Sequence, residues 1–531
     1  MLTQGVSMAG PEGKQIQSVA EMIGRFTGEL VGQTQDWQAE LIASPGNLES
    51  IERQVHQVFA RGGDMLVAGL LAVAISGGYV EQAAEETRRS FSRPLLKGRE
   101  RTIAVRLLGG MILWMTTLYC PPKRRRFRHD AQPRVGLDVT LAQFGFGKGV
   151  SPGLESRVTR KVALCPSIRF AHEELAREGV ELDPKSVKRI AYQCGEDFLA
   201  LRTHRITQFR AGTLQAGSQL AGKRVSVQID GGRIKIRGKM QATPKRTEIV
   251  NEDGLVTEDA QGRSSRQHKR TFQADWREPK LMTIFVHDER GKMIDRHETV
   301  IDGTLLGPDA IAEVCAMHLH RLGAAKARSI CFIADGAPWI WDRIDSIVHL
   351  AKLDEVAKYE ILDCSHAVHH ISLALAATGA SQEGRLPLYR ELRTLLRNGR
   401  WREVVEQLTE LQDSQDPNAD LEREINYLRS HGEAGRLSYP HFRSQGLPCG
   451  SGAIESSIRR VINLRLKSNA MFWTSHNAES MMQVRSHVIS GQWDKQLKEL
   501  GSFRRTIAYD GHAWTPRQMS CKTETVSNNS T

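Results

Sequence analysis

The chain has 531 residues, of which 40% are hydrophobic and 25% charged, and its formal net charge is +12 with a pI near 9.4. This mixture excludes an intrinsically disordered chain and is typical of a globular protein with roughly three domains of about 150 residues each. The excess of positive charge favours a polyanionic partner, nucleic acid first.

The spacing of the cysteines and the hydropathy of the chain indicate its cellular compartment. The eight cysteines are scattered and form no Cys-x-x-Cys pair, so the sequence predicts no zinc site and reduced thiols in a cytoplasmic protein. No signal-peptide pattern opens the chain. The apolar run from Met65 to Ser76 is shorter than the roughly 20 residues that a membrane-spanning helix needs, so we expect no membrane partner.

Helical spacing dominates the first 215 residues, with one interruption. Residues 1–100 are predicted to be helical, with packing or dimerisation as their role. Over residues 101–150, alternating apolar runs flank Gly109-Gly110, which predicts a β-hairpin followed by a basic segment. Residues 151–215 are helical again, and Asp183-Pro184 begins a helix with a basic leading end. This order is typical of a helix-turn-helix DNA-binding region, but also of any small helical bundle.

A pattern of five strands follows over residues 220–370. The predicted strands are Val225–Asp230, Leu281–Val286, Glu298–Ile301, Ile330–Ala334 and Glu360–Asp363, with helices at Pro308–Leu322 and Trp339–Leu350. Three strands, then helix, strand, helix and strand, is the order of an α/β, ribonuclease H-like catalytic core. Residues 371–445 are predicted to be an all-helical insertion, 446–490 a returning helix of the core, and 491–531 a C-terminal tail.

Three acidic residues stand at the ends of these elements. Asp230 ends the first strand and precedes two glycines, where the backbone can come close to a ligand. Asp335 ends the fourth strand, and Glu455 lies in the first turn of the returning helix. Carboxylate oxygens are the ligands that Mg²⁺ prefers. We expect the three to meet and to hold two divalent ions, Mg²⁺ or Mn²⁺, for phosphoryl transfer on DNA.

Each of these residues also has a plainer interpretation. A single Asp-Gly after a strand is usually a turn, and Glu455 could be a first-turn helix charge or an ion-pair partner of Arg459. Glu479 is the main competitor for the third position, but no Gly-Ser-Gly segment precedes it. Asp363 ends the fifth strand and His366 begins the next helix. His366 could contact the scissile phosphate or position Asp363, or it could be an ordinary helix-start histidine.

Basic residues near these acids are predicted to contact DNA phosphates. They are Arg124, Arg125, Arg126, Lys185, Lys188, Arg189, Arg459, Arg460, Arg465 and Lys467. If they do, DNA affinity should fall steeply with salt concentration. Solvated surface charge is the plainer interpretation of each group taken alone.

Three motifs together resemble a known family. They are Asp-Gly-Ala-Pro-Trp-Ile-Trp at 335–341, Asp-x-x-His at 363–366 and Gly-Ser-Gly-Ala-Ile-Glu-Ser at 450–456. In combination they resemble bacterial insertion-sequence transposases of the DDE type, most closely the ISKra-type group related to Mutator-like transposases. The resemblance covers roughly residues 102–485. One departure is that members often carry paired cysteines after the hairpin, whereas here Cys120 stands alone.

The resemblance implies specific roles for these residues. Asp230, Asp335 and Glu455 would be the catalytic, metal-binding acids, with Asp363 and His366 as auxiliary residues and a helical insertion between the second and third acids. The implied activity is metal-dependent cleavage at transposon inverted-repeat ends and strand transfer. The partner would be double-stranded DNA, bound by a homodimer or higher oligomer. Two alternatives remain: a transposon-derived protein that binds DNA without cutting it, and another nuclease of the same fold.

Overall fold

The structure is a computed structural model that describes residues 19–123, 136–147, 149–238, 274–413, 417–468 and 471–507. The predicted DNA-binding residues Arg124, Arg125 and Arg126 lie outside these ranges.

The N-terminal region combines a helical hairpin with a small sheet. Its elements are α1 (Val19–Ala43), α2 (Leu48–Ser76), α3 (Tyr79–Ser90), β1 (Arg99–Arg106), β2 (Ile112–Cys120), β3 (Leu137–Asp138) and α4 (Val139–Gln143). The predicted β-hairpin is confirmed, since β1 and β2 pair antiparallel on either side of the Gly109-Gly110 turn. The carboxylate of Asp64 in α2 holds that turn by accepting the N–H groups of Gly109 and Met111, both at 2.9 Å.

The apolar run that was expected to be too short for a membrane span belongs to a longer helix. Within the described ranges, residues 45–76 alone are long and apolar enough to cross a membrane by length and composition. A core helix of a soluble protein passes the same test, and 44% of the most apolar window is buried inside the protein.

The predicted helices of residues 151–215 are confirmed as α5 (Pro152–Leu164), α6 (Ile168–Arg177) and α7 (Pro184–Arg210). Asp183 caps α7, since its Oδ1 accepts the N–H of Ser186 at 2.9 Å. These helices share one hydrophobic core with two C-terminal helices, α17 (Ser475–Ile489) and α18 (Trp493–Thr506). Residues 151–215 therefore have no core of their own.

The predicted C-terminal tail was wrong for its first part. Residues 493–506 form helix α18, in which Trp493, Leu500 and Phe503 are buried. The Trp493 indole N–H donates to the Ser156 hydroxyl at 2.8 Å, which ties α18 to α5.

The centre of the protein is a mixed five-stranded sheet. The strands between residues 224 and 362 are β4 (Arg224–Gly231), β5 (Ile234–Arg237), β6 (Ala274–Arg277), β7 (Lys280–His287), β8 (Val300–Thr304), β9 (Ser329–Ala334) and β10 (Ala357–Leu362). The sheet order is β10-β9-β4-β7-β8, and β5 and β6 form a separate hairpin. Strand β7 is antiparallel to both neighbours, while β4, β9 and β10 are parallel. The five predicted strands are confirmed, and their order is 3-2-1-4-5 in chain sequence.

Strand β4 is buried on both faces. Val225 and Val227 on one face and Ser226 and Gln228 on the other are each at most 1% exposed. This burial is expected of a central strand that is covered on both sides. The side-chain amide of Gln228 therefore needs hydrogen-bond partners inside the protein.

Helices account for most of the remaining chain. They are α8 (Pro308–Leu322), α9 (Pro338–Trp341), α10 (Ile344–Leu350), α11 (Cys364–Ala377), α12 (Gln382–Arg397), α13 (Trp401–Asp413), α14 (Ala419–Glu433), α15 (Tyr439–Ser444) and α16 (Gly452–Ser457). A π-helical turn, Ile458–Asn463, continues α16. The predicted single helix at Trp339–Leu350 is two short helices instead. The helical insertion is confirmed, and its helices α12–α14 share a core with the sheet.

A buried charge network joins α7, β8 and α17. Arg202 donates to Asp302 at 3.0 Å and to Glu479 at 2.6 Å, and the three side chains are at most 11% exposed. Glu479 also accepts the N–H of Leu305 at 2.7 Å. Burial alone would raise the pKa of Asp302, but the charge of Arg202 and a hydrogen bond from His318 hold it below the ordinary value. Glu479, the competitor for the third acid, therefore has a structural role.

We expect Arg202→Met to lower the free energy of unfolding by about 3–5 kcal/mol, because it leaves two buried carboxylates without their cation. Thermal melting followed by circular dichroism measures the change. Arg53→Met is the matched control, since Arg53 pairs with Glu49 on an exposed helix surface and such pairs contribute little. Equal melting temperatures for the two variants would contradict the structural role of the network.

Candidate active site

Asp230, Asp335 and Glu455 approach one another at one end of the sheet. Asp230 lies at the carboxyl end of β4, and Asp335 directly follows the parallel neighbour β9. Glu455 lies in α16, which packs against β4 and β7. Asp335 and Glu455 are both close enough for their charges to raise the pKa of Asp230. The structure thus brings together the three acids that the sequence singled out.

The Asp230 carboxyl has an unusual environment. Burial raises the pKa of Asp230 to about 6. The N–H of Gly231, 2.6 Å from Oδ1, opposes this rise, and the nearby charge of Asp335 adds to it. The charges of His366 and Glu455 act more weakly, in opposite directions. Much of the cause is therefore desolvation, which a bound cation would offset.

Glu455 is held by its neighbours but remains open to solvent. Its Oε1 accepts the hydroxyl of Ser451 at 2.9 Å and lies 3.8 Å from Nε2 of His366. The side chains of Glu455 and His366 are 53% and 40% exposed. The His366 ring therefore lies beside Glu455 and is partly exposed. The contact of His366 with Asp363 is made by its backbone N–H.

Two buried side chains fix the segment that leads into α16. Gln228, two residues before Asp230, donates to the carbonyl of Gly450 at 3.0 Å and accepts the N–H of Ile454 at 2.9 Å. Asp363 accepts the N–H of Ser451 and, at 2.9 Å, that of His366. Burial alone would raise the pKa of Asp363, but these hydrogen bonds keep it below its ordinary value. Asp363 is thus an anchor of this segment.

Sequence reasoning missed Gln228. The signal was present, because Gln228 shares the polar phase of the strand with Asp230. Its partners could not be identified, because they lie more than 200 residues away in the chain.

The turn that carries Asp335 is held from two sides. The Asp335 carboxylate accepts the N–H of Ala337 at 3.1 Å, and the backbone carbonyl of Asp335 accepts the indole N–H of Trp341 at 2.9 Å. Tyr427 of α14 packs on Gly336, where an added Cβ would lie 2.0 Å from the ring. Any side chain directly after Asp335 would therefore displace the Tyr427 ring.

An open cavity of about 500 Å³ lies beside the acids. It is lined by Asp230, Gly231, Gly232, Arg233, Trp276, Arg277, Glu278, Asp335, Ala337 and Trp339. The Lys280 ammonium sits 4.3 Å from the centre of the Trp339 ring. Asp230 and Asp335 thus face a space that a ligand larger than an ion can enter.

The donor set fits a divalent cation, although it is not a closed cage. Within the described ranges, no three His, Cys, Asp or Glu side chains are gathered tightly enough to hold a metal ion unaided. Mg²⁺ keeps several waters and needs only one or two protein carboxylates together with substrate oxygens. Asp230, Asp335 and Glu455 provide an oxygen-only set of that kind, and a bound cation would offset the desolvation that raises the pKa of Asp230.

Most of the predicted DNA-binding residues that the structure describes are exposed. Lys185, Lys188 and Arg189 lie at the leading end of α7. Arg459, Arg460 and Lys467 lie on the segment after Glu455. DNA contact by these residues stays a prediction.

Arg465 is the exception. It is 3% exposed, its Nε donates to the carbonyl of Val162 at 3.4 Å, and its guanidinium lies 5.2 Å from the centre of the Trp473 ring. The DNA-binding prediction for Arg465 was wrong, because this side chain ties the segment after α16 to α5.

Comparison with known proteins gives no further assignment. The chain matches no protein-family model, no curated protein and no solved structure. The geometry of the site therefore carries the functional assignment.

The raised pKa of Asp230 predicts a pH-dependent effect of Asp230→Asn in metal-free protein. The folded state favours the protonated form of the Asp230 carboxyl. This preference stabilises the fold fully below about pH 4, and the stabilisation is lost as the pH rises through about 6. Relative to the protonated form, ionised Asp230 makes the metal-free fold less stable by on the order of 3 kcal/mol well above that pH. Asp230→Asn should therefore melt at a higher temperature than the wild type at pH 7.5 and at nearly the same temperature at pH 4.

Melting curves with EDTA at pH 4 to 8 measure this difference. Asp183→Asn is the control, because a hydrogen bond from Ser186 lowers the pKa of Asp183 and its shift has the opposite sign. A gap between Asp230→Asn and the wild type that does not change with pH would contradict the raised pKa.

Proposed function

We propose that this protein is a DDE-type DNA transposase with a ribonuclease H-like core, which cleaves DNA at inverted-repeat ends and joins them to target DNA. The observation that carries the proposal is the approach of Asp230, Asp335 and Glu455 to one end of the sheet. The strand order 3-2-1-4-5, with its second strand antiparallel, supports such a core. The helical insertion lies between the second and third acids, where the resemblance puts it.

The residues of the site suit phosphoryl transfer. That reaction needs an attacking oxygen in line with the phosphorus and a stabilised leaving oxygen. Asp230, Asp335 and Glu455 would hold divalent ions, Mg²⁺ or Mn²⁺, which would supply positive charge to offset the negative charge of the reacting oxygens. Ser451 orients the Glu455 carboxylate, and the exposed His366 ring can donate a hydrogen bond to a phosphate oxygen.

The proposed partner is double-stranded DNA, bound by a homodimer or higher oligomer in the bacterial cytoplasm. The net charge of +12 and the exposed basic residues of α7 and of the segment after α16 support this partner.

Cleavage of labelled DNA that bears the inverted repeats flanking the gene tests the proposal. With Mg²⁺ or Mn²⁺, the wild type should nick the repeat boundary. Glu455→Gln should cut about a hundredfold more slowly or worse, because it removes a negative ligand, while DNA binding persists. Glu49→Gln, at an exposed position on α2, should cut like the wild type.

The products separate the candidate functions. Joined strands with target DNA support a transposase, whereas hydrolysis without joining would favour another nuclease. Specific binding without any cut, in either metal, would favour a DNA-binding protein derived from a transposon.

Gln228→Met should slow cleavage by about 10–100-fold, the range for a residue that orients metal ligands, because the α16 segment loses both hydrogen bonds to β4. DNA affinity should stay within about twofold, since Gln228 is 1% exposed and its side chain is not on the surface that DNA would contact. Ser226→Ala is the matched control, being buried on the same face of β4. Equal cleavage rates for Gln228→Met and Ser226→Ala would contradict the positioning role.

A further inference from the structure

The hairpin β5–β6 presents an exposed tryptophan beside the acids. Trp276 is 47% exposed and lies directly opposite Lys235 in the hairpin register. The charged groups of Arg233 and Lys235 are 5.3 and 5.0 Å from the centre of its ring. On the other face of the hairpin, Ile234 and Ile236 are buried in a hydrophobic core. One face is thus fixed to the protein while the other carries an aromatic ring beside two cations.

The hairpin is joined to the body of the protein by its backbone. Trp473 donates its N–H to the carbonyl of Lys235 at 3.0 Å, and its carbonyl accepts the N–H of Arg237 at 2.7 Å. Gly232 packs on Ile462, where an added Cβ would lie 2.7 Å from the side chain. The position of Trp276 relative to the acids is therefore set by the fold.

Trp276 and Arg233 line the same open cavity as Asp230 and Asp335. Glu278 also lines this cavity, but Lys280 pairs with it at 2.7 Å. A ligand that contacts the Trp276 ring would therefore lie next to the carboxylates, with two cations at hand for its phosphates.

We propose that Trp276, with Arg233 and Lys235, binds an unpaired nucleotide base next to the position where the acids act on DNA. Every base has a flat face that stacks on an aromatic ring, so such a site needs no particular sequence. Bases inside a duplex are stacked on each other and cannot reach a ring on the protein surface, whereas an unpaired base can. Arg233 and Lys235 then contact the flanking phosphates. This inference rests on the proposed function, because it takes DNA to be the ligand of the acids.

Binding to two labelled probes tests the inference without any cleavage step. One probe is a blunt duplex, and the other is the same duplex with a single-stranded overhang of six thymidines. Fluorescence anisotropy with the full chain in EDTA should show tighter binding of the overhang probe. Trp276→Ala should abolish this preference, a loss of about tenfold in affinity, and should leave blunt-duplex affinity unchanged. Trp276→Phe should retain most of the preference, because a phenyl ring still stacks.

The controls separate stacking at Trp276 from a general effect of losing a tryptophan. Trp37→Ala removes a half-buried indole from α1 and should keep the preference for the overhang. The inference would be overturned if the wild type and Trp276→Ala preferred the overhang probe equally. It would also be overturned if Trp276→Ala bound neither probe. A protein that prefers the overhang but never cuts inverted-repeat DNA would overturn the proposed function and leave the stacking site standing.

Discussion

The site depends on hydrogen bonds that satisfy the backbone of the segment before α16. Buried N–H and C=O groups require partners, and leaving one without a partner costs more than an ordinary hydrogen bond contributes. Gln228 and Asp363 supply those partners from β4 and from the end of β10. Satisfying this backbone therefore also fixes where α16 begins, and with it the position of Glu455 one turn later. Glu455 is therefore positioned by β4, which carries Asp230, and by the end of β10, the neighbour of the strand that leads to Asp335.

The gathering of acids has an electrostatic consequence. Asp230 is half-buried and near two other carboxylates, and its pKa rises to about 6. At neutral pH the metal-free protein therefore holds a carboxylate in an environment that disfavours it, which lowers stability. A ligand that binds only the folded state returns that stability by mass action. Such tension between stability and function is common at functional sites, and here it is confined to one end of the sheet.

Local signals in the sequence predicted the strands and the acids that end them, because strand alternation and glycines after an aspartate depend on neighbouring residues. Contacts between distant segments were not predictable in this way. Arg465 stands in a basic run that suggests a surface, but the carbonyl of Val162 and the ring of Trp473 receive it in the interior. Helix α18 has large apolar residues at helical spacing, Trp493, Leu500 and Phe503, but the partners that bury them lie elsewhere in the chain. Gln228 had the correct phase, but only the folded chain shows what it binds.

The helical insertion is part of the site rather than an appendage to it. Its helices share a hydrophobic core with the sheet, and Tyr427 of α14 packs on the backbone directly after Asp335. Arg436, which follows α14, lies 4.1 Å from the centre of the Trp341 ring, whose indole N–H donates to the Asp335 carbonyl. Movement of α14 relative to the sheet would disturb both contacts at once. The second acid is therefore supported from the insertion, whereas the third is supported from the sheet, so the two halves of the site rely on different parts of the chain.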